Sequence, residues 1–394
     1  VRLEAHLSAI PVHFKIYGPA PQEGDGSLFI QEMGIQVMPE FGSAFLFPYF
    51  QMDWLKEEDY ALTLGFEKEG KLELSYLGAK KEEVLRQIRE GFQKACFKAL
   101  FLKDEELRGI SSLKISTPNF TESGEIAVFP WVVIMFAGGN GVKVIPMRLL
   151  KGVSFDEQSY SVHLETAQEG FSLSQLGALR EKFLRDIREA YEESNARLSE
   201  LFGEYLPKID PLTREALSAL LFKEGALRKA DVKDAENWEK MLSLIPEEKK
   251  EYVRIFLTMA PPENTYFGLA PSPSFRSDLP YLSWLSAQFG DLLAFEVISI
   301  EDFATYFFRI PGKSPEEKRE WIKSVHIFWP LLGFHREILF KEEAELPENE
   351  KCSTYLLLKL LPIFASMREN WVKRVAHTEP QVWKEQIKEI LKNE

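Results

Sequence analysis

One stretch of the chain occurs twice. Residues 77–92 read LGAKKEEVLRQIREGF and residues 176–191 read LGALREKFLRDIREAY. They align without a gap at an offset of 99 and agree at nine of sixteen positions, among them Leu77/Leu176, Gly78/Gly177, Leu85/Leu184 and Ile88/Ile187. Chance would give about one match, since each common residue makes up only a few per cent of a typical chain. Val84, Leu85, Ile88 and Phe92 recur as Phe183, Leu184, Ile187 and Tyr191, which is helical spacing. The pattern predicts a duplicated domain, each copy closed by an amphipathic helix.

The duplication extends upstream. At an offset of 98, Gly26 aligns with Gly124, Leu28 with Ile126, Ile35 with Val133 and Pro48 with Pro146; at 100, Tyr60 aligns with Tyr160 and Gly70 with Gly170. The register slips fall where turns are expected, and turns tolerate insertions. Copy one reads as strands over 27–39, 44–50, 60–67 and 71–77, with Tyr60, Leu62, Leu64 and Phe66 on one face and a turn at 68–70. Copy two reads as strands over 125–136, 142–147, 160–166 and 171–176. Its GGNG (138–141) leads into a strand and not into a helix, so it predicts a hairpin turn and not a phosphate cradle. The closing helices run to about Leu100 and Phe202, and Cys96, Ala99 and Leu198 extend their stripes.

No third copy follows residue 206. Asp210-Pro211 predicts a helix through Leu221, with Asp as cap and Pro at the first position. Further helices are expected at 234–244 and 246–259, and the five prolines of 261–280 suggest an extended surface loop. LLAFEVIS (292–299) and FATYFFRI (303–310) read as paired strands, with a capping box at Ser299-x-x-Asp302 as the competing reading. Ser314-Pro-Glu-Glu317 starts a helix to Trp329, a helix kinked at Pro362 covers 353–373, and Thr378-x-x-Gln381 starts the last one. The expectation is an α+β protein with domains at 1–105, 106–205 and 206–394.

A net charge of −13 argues against nucleic acid and anionic membranes, which recruit proteins through lysine and arginine clusters. The two cysteines, Cys96 and Cys352, sit on apolar helical stripes, which rules out a disulfide framework and points to the cytoplasm. The N-terminal stretch has no basic region followed by an apolar one, so no signal peptide is expected. The longest apolar run, 126–137, is too short to span a bilayer and contains Pro130.

The two copies resemble bacterial PH-like (GRAM-like) domains. The resemblance rests on Gly70, Leu74, Ser75, Leu77, Gly78 and helix 80–100, and on Gly170, Leu173, Ser174, Leu176, Gly177 and helix 179–200. Copy one reads L-S-Y-L-G where copy two reads L-S-Q-L-G. The resemblance covers residues 10–203 and implies two tandem, partly open seven-stranded barrels, each capped by a C-terminal helix. It implies binding of phosphoinositides, peptides or partner domains more than catalysis. A lipid headgroup needs basic residues near the first hairpin, and neither 23–34 nor 121–131 contains one.

Fingerprints of chemistry are missing from the sequence. Gly312-Lys313-Ser314 lacks the upstream glycine of a phosphate-binding loop, with Phe307 in its place. The six histidines have no metal spacing, and no cofactor motif is present. Polar and aromatic residues concentrate in the last third: Asp302, Tyr306, Arg309, His335, Arg336, Glu337, Arg368, Arg374, His377 and Trp383. Within them Arg309, His335, Arg336, Glu337, Arg374 and His377 form the candidate ligand site, against the alternative of a buried ion-pair network. The leading expectation is a non-catalytic scaffold whose PH-like domains bind a protein or peptide, self-association included. The alternatives are an enzyme or small-anion regulator using the C-terminal cluster, and a membrane-surface adaptor.

Overall fold

The computed structural model describes residues 9–66, 70–103, 105–166, 169–271, 281–297, 303–332, 335–342, 345–346 and 348–393. The protein is α+β, with three antiparallel sheets. Copy one contributes β1 (Ile10–Tyr17), β2 (Gln22–Gln31), β3 (Gly34–Pro39), β4 (Phe45–Pro48), β5 (Met52–Glu57), β6 (Ala61–Phe66) and β7 (Gly70–Ser75), followed by α1 (Lys81–Ala99). Copy two repeats this with β8 (Gly109–Ser116), β9 (Thr121–Val128), β10 (Val132–Ala137), β11 (Gly141–Pro146), β12 (Leu150–Asp156), β13 (Ser161–Thr166) and β14 (Gly170–Ser174), then α2 (Arg180–Tyr205). The strand orders are β4-β3-β2-β1-β7-β6-β5 and β11-β10-β9-β8-β14-β13-β12, the same order twice.

The repeated Leu-Ser-x-Leu-Gly segment has a repeated backbone. Tyr76 and Gln175 take φ of 58° and 65°, and Gly78 and Gly177 take 55° and 53°. Between them Leu77 and Leu176 turn inward and are buried. The chain thus leaves the last strand in two left-handed steps, which glycine makes at no steric cost. The x position points to solvent, which is why tyrosine and glutamine are interchangeable there. Every residue of the α1 stripe from Val84 to Ala99 is buried. On α2, Phe183, Leu184, Ile187 and Leu198 are buried, but Tyr191 is partly exposed and its ring meets Phe222 edge-on at 5.5 Å. Tyr60 also departs from the expected inward face: it precedes β6 and is exposed, while β6 itself is buried along its whole length. The turn expected at 68–70 lies largely outside the described residues. The GGNG segment does turn from β10 into its neighbour β11.

The rest of the chain forms α3 (Pro211–Glu224), β15 (Leu227–Arg228), α4 (Ala235–Leu242), α5 (Lys250–Met259), β16 (Thr265–Pro271), β17 (Tyr281–Phe289), β18 (Leu292–Val297), β19 (Ala304–Arg309), α6 (Pro315–Leu332), α7 (Glu348–Leu360), α8 (Pro362–Glu369), β20 (Trp371–Ala376) and α9 (Pro380–Asn393). Strands β15 to β20 make one sheet in sequence order. Asp210 caps α3 by accepting from the Thr213 amide at 3.0 Å. Ser314 and Glu317 cap α6 reciprocally, at 3.2 and 3.1 Å, so Gly312-Lys313-Ser314 is a helix start. That helix runs past Pro330 to Leu332.

Two expectations in this half are corrected. Part of the expected loop at 261–280 is strand β16, and its glycine has a packing reason: a Cβ at Gly268 would lie 1.9 Å from the Trp284 indole. The helix expected over 353–373 ends at Glu369, and Trp371–Ala376 is a strand paired with β19. The expected capping box at 299–302 falls outside the described residues.

The contacts divide the chain into two compact units. One holds residues up to Ile145, Leu150–Asp186 and Leu346–Leu360; the other holds Pro146–Leu149, Ile187–Glu345 and Leu361–Glu394. Helix α7 therefore belongs with the duplicated sheets. Its Lys359 donates to the carbonyls of Gln51 and Met52 at 3.3 and 3.1 Å and pairs with Asp53, and its Tyr355 meets Phe50 edge-on at 5.9 Å.

Candidate binding surfaces

Of the six residues singled out from the sequence, Arg309 and Arg374 lie on the β15–β20 sheet, His377 follows β20, and His335, Arg336 and Glu337 lie in the segment after α6. Successive side chains of a strand point to opposite faces. Tyr306 stands across from Arg374, and Thr305 across from Val375. On the Tyr306 face the guanidinium carbons of Arg336 and Arg374 lie 5.7 and 5.9 Å from the Tyr306 ring centre, within a cluster of Trp329, Phe340 and Trp371. His335 and Glu337 flank the buried Arg336 and are half-buried. Arg309 is exposed at the end of β19, where its amide donates to the Asn370 carbonyl at 2.8 Å.

His377 belongs to the opposite face. Its Nε2 lies 3.0 and 3.1 Å from the two carboxylate oxygens of Glu296, and neither side chain reaches solvent to any extent. The Trp383 indole N–H donates to Thr305 Oγ1 at 3.1 Å, and the Thr305 hydroxyl donates to Glu296 at 2.8 Å. Tyr252 stacks on His377 at 4.2 Å with 5° between the rings, and the Tyr252 hydroxyl donates to the Thr378 carbonyl. Buried polar side chains hold their place through hydrogen bonds of this kind. The network ties α5, α9 and β20 to β18 and β19. Sequence reasoning named His377 and Trp383 but missed Glu296, Thr305 and Tyr252, because nothing local links residues 81 positions apart.

His326 of α6 is buried, and its Nε2 lies 2.8 Å from Ser286 Oγ of β17. Burial pushes its pKa down to about 3, so the ring is neutral.

The duplicated unit carries a groove along α1 of about 690 Å³. That is within the range of ligand pockets. Phe50, Phe97, Leu102, Phe129 and Leu356 supply apolar wall, and Met33 stands exposed at the β2–β3 turn beside it. Lys94 and Lys98, one helical turn apart, and Lys103 just beyond are exposed along it. Among the described residues none of these three lysines makes an ion pair, whereas the groove's Glu90 is engaged by Arg86 at 2.7 Å. Cys352 also lines the groove, while Cys96 lies wholly buried on the inner side of α1, where burial pushes its thiol pKa up.

The copies meet within this unit. Phe92 and Phe97 of α1 meet Phe136 of β10 at 6.2 and 6.0 Å, and Phe97 meets Phe129 at 5.0 Å. The Gln93 amide donates to Glu125 at 2.5 Å. The β10–β11 turn lies against β5: a Cβ at Gly141 would sit 3.1 Å from the Asp53 carbonyl oxygen. Gly141 thus serves close approach between the copies.

Among the described residues no helix is long and apolar enough to cross a membrane. No protein-family model matches the chain, and no curated protein matches it. A solved structure, the C-terminal domain of an unknown protein from Leishmania infantum, is similar at 11% identity over 26% of this chain and 97% of that chain, with a TM-score of 0.23. A score that low establishes neither fold nor function.

Proposed function

We propose that the chain is a non-catalytic binding or scaffolding protein built on two tandem PH-like domains, and that the groove along α1 takes an acidic peptide segment with apolar side chains. The PH-like reading is supported by the order 4-3-2-1-7-6-5 appearing twice, each time followed by a helix whose apolar stripe is buried, Tyr191 of α2 excepted. The observation that carries the function is the groove itself. Its apolar floor offers burial at roughly 25 cal/mol per Å². Lys94, Lys98 and Lys103 offer cations to carboxylates on an otherwise acidic protein.

Selection of a phage-displayed peptide library on the full chain tests this. Enrichment of sequences combining acidic and large apolar residues is expected. Binding of a selected peptide should fall at least tenfold in the triple charge reversal Lys94→Glu, Lys98→Glu, Lys103→Glu and should weaken with salt. No enrichment, or binding indifferent to the triple variant, removes the proposal.

A further inference from the structure

Because the domain is duplicated, each surface of one copy has a counterpart on the other. The face of copy two that covers α1 is the outer side of β9 and β10, with Phe136 at its centre. Its counterpart on copy one is fixed by the strand ladders. Phe136 pairs with Glu125 and Ala137 with Gly124; Met38 pairs with Ser27 and Pro39 with Gly26. The two glycines confirm the match. A Cβ at Gly124 would lie 2.4 Å from the Phe136 carbonyl oxygen, and a Cβ at Gly26 would lie 2.4 Å from that of Met38. Met38 therefore stands where copy two has Phe136.

In copy two this face is occupied by a helix. In copy one its counterpart stands open among the described residues. Met38 is 45% exposed, Leu46 on the edge strand β4 is 53% exposed, and Phe41 in the β3–β4 turn is 85% exposed. That turn corresponds to the Gly138–Gly141 turn that lies against β5. Three large apolar side chains in solvent on one edge of a sheet are costly unless a partner covers them.

We infer that the Met38–Phe41–Leu46 face of copy one is a docking site for an amphipathic α-helix of another protein, one carrying two aromatic residues five positions apart and a basic residue beside them. The aromatic pair follows from Phe92 and Phe97, which fill the same face of copy two. The basic residue follows from the rim. Copy two meets Gln93 with Glu125, whereas copy one places Ser27 there, flanked by the exposed Glu40 and by Asp25, which His13 engages at 2.8 Å. A second copy of this chain is a poor occupant. Its α1 surface is already filled by Phe136, and Tyr191, the α2 counterpart of Phe92, is held by Phe222. The inference rests on the reading of the chain as a binding protein, but on a surface separate from the α1 groove.

The probe is the template helix given that basic residue: a fluorescent synthetic peptide of residues 81–99 with Gln93→Lys and Cys96→Ala, whose Phe92 and Phe97 are free. Its anisotropy should rise on binding the full chain, and Met38→Asp or Leu46→Asp should weaken binding at least tenfold. Both positions are exposed, so circular dichroism should show both variants folded. Absence of peptide binding, or binding indifferent to both variants, overturns the inference. So does sedimentation showing a dimer that Met38→Asp dissociates, or vesicle binding that depends on Phe41. Loss of this binding with the library-selected acidic peptides still bound would sink this inference alone; loss of both would sink the reading beneath it.

Discussion

The buried His326 makes the stability of the second unit depend on pH in a way that can be worked out in advance. The folded state holds its pKa near 3, against an ordinary value of 6.5 in the unfolded chain. Below pH 6.5 the unfolded chain takes up a proton that the folded one refuses. The contribution is therefore complete above pH 6.5 and is lost as pH falls toward 3. Each pH unit costs about 1.4 kcal/mol, so the drop from pH 7.5 to 5.0 costs about 2 kcal/mol. That is a large share of a typical stability of roughly 5–15 kcal/mol. Six of the eight tryptophans lie in this unit, so tryptophan fluorescence reports its unfolding in urea. His326→Gln keeps a polar side chain facing Ser286 and removes the titration. The variant should be less stable at pH 7.5 but should lose about 2 kcal/mol less than the native chain on acidification. Parallel loss in the two proteins would refute the reasoning, because carboxylate effects are common to both.

Three further outcomes follow from packing. Glu296→Ala should destabilise the second unit by about 3–5 kcal/mol in urea, since it strands His377 in the interior, while Glu296→Gln should cost clearly less. Leu85→Asp and Leu184→Asp each place a charge in a closed core. Hydrogen exchange should show each variant opening its own copy, and full protection in both would disprove the role of the helices as closures. Gly268→Ala should cost about 1–3 kcal/mol by thermal denaturation, because the Trp284 indole already fills the space of a methyl group.

The duplicated half was legible because its signals are local. A stripe at helical spacing and a repeated Leu-Ser-x-Leu-Gly segment each act within a few residues. The third sheet was legible only in part. Its β17 is buried on both faces, so its sequence YLSWLSAQF shows no alternation of apolar and polar residues to read. The five prolines of 261–280 made β16 look like loop, although Pro271 only ends the strand and Gly268 within it makes room for Trp284. The C-terminal polar cluster was recognisable as composition, but the partition of Arg336 and Arg374 from His377 depends on strand parity and pairing. Glu296 gave no sign at all, since one acid in an apolar strand looks like a solvent-facing residue until His377 arrives. The empty counterpart of the Phe136 face needed both copies in three dimensions.

The placement of α7 bears on how the protein is made. The first unit takes its last helix from residues 346–360, and Leu360 lies 174 residues beyond Asp186. At roughly 5–20 residues per second, the ribosome needs about 9–35 s to bridge that gap. For that interval Phe50 lacks Tyr355, Asp53 lacks Lys359, and the floor of the α1 groove stands bare beside a growing chain. Synthesis of the N-terminal half and completion of its fold are therefore separate events, with the intervening sequence as the clock between them.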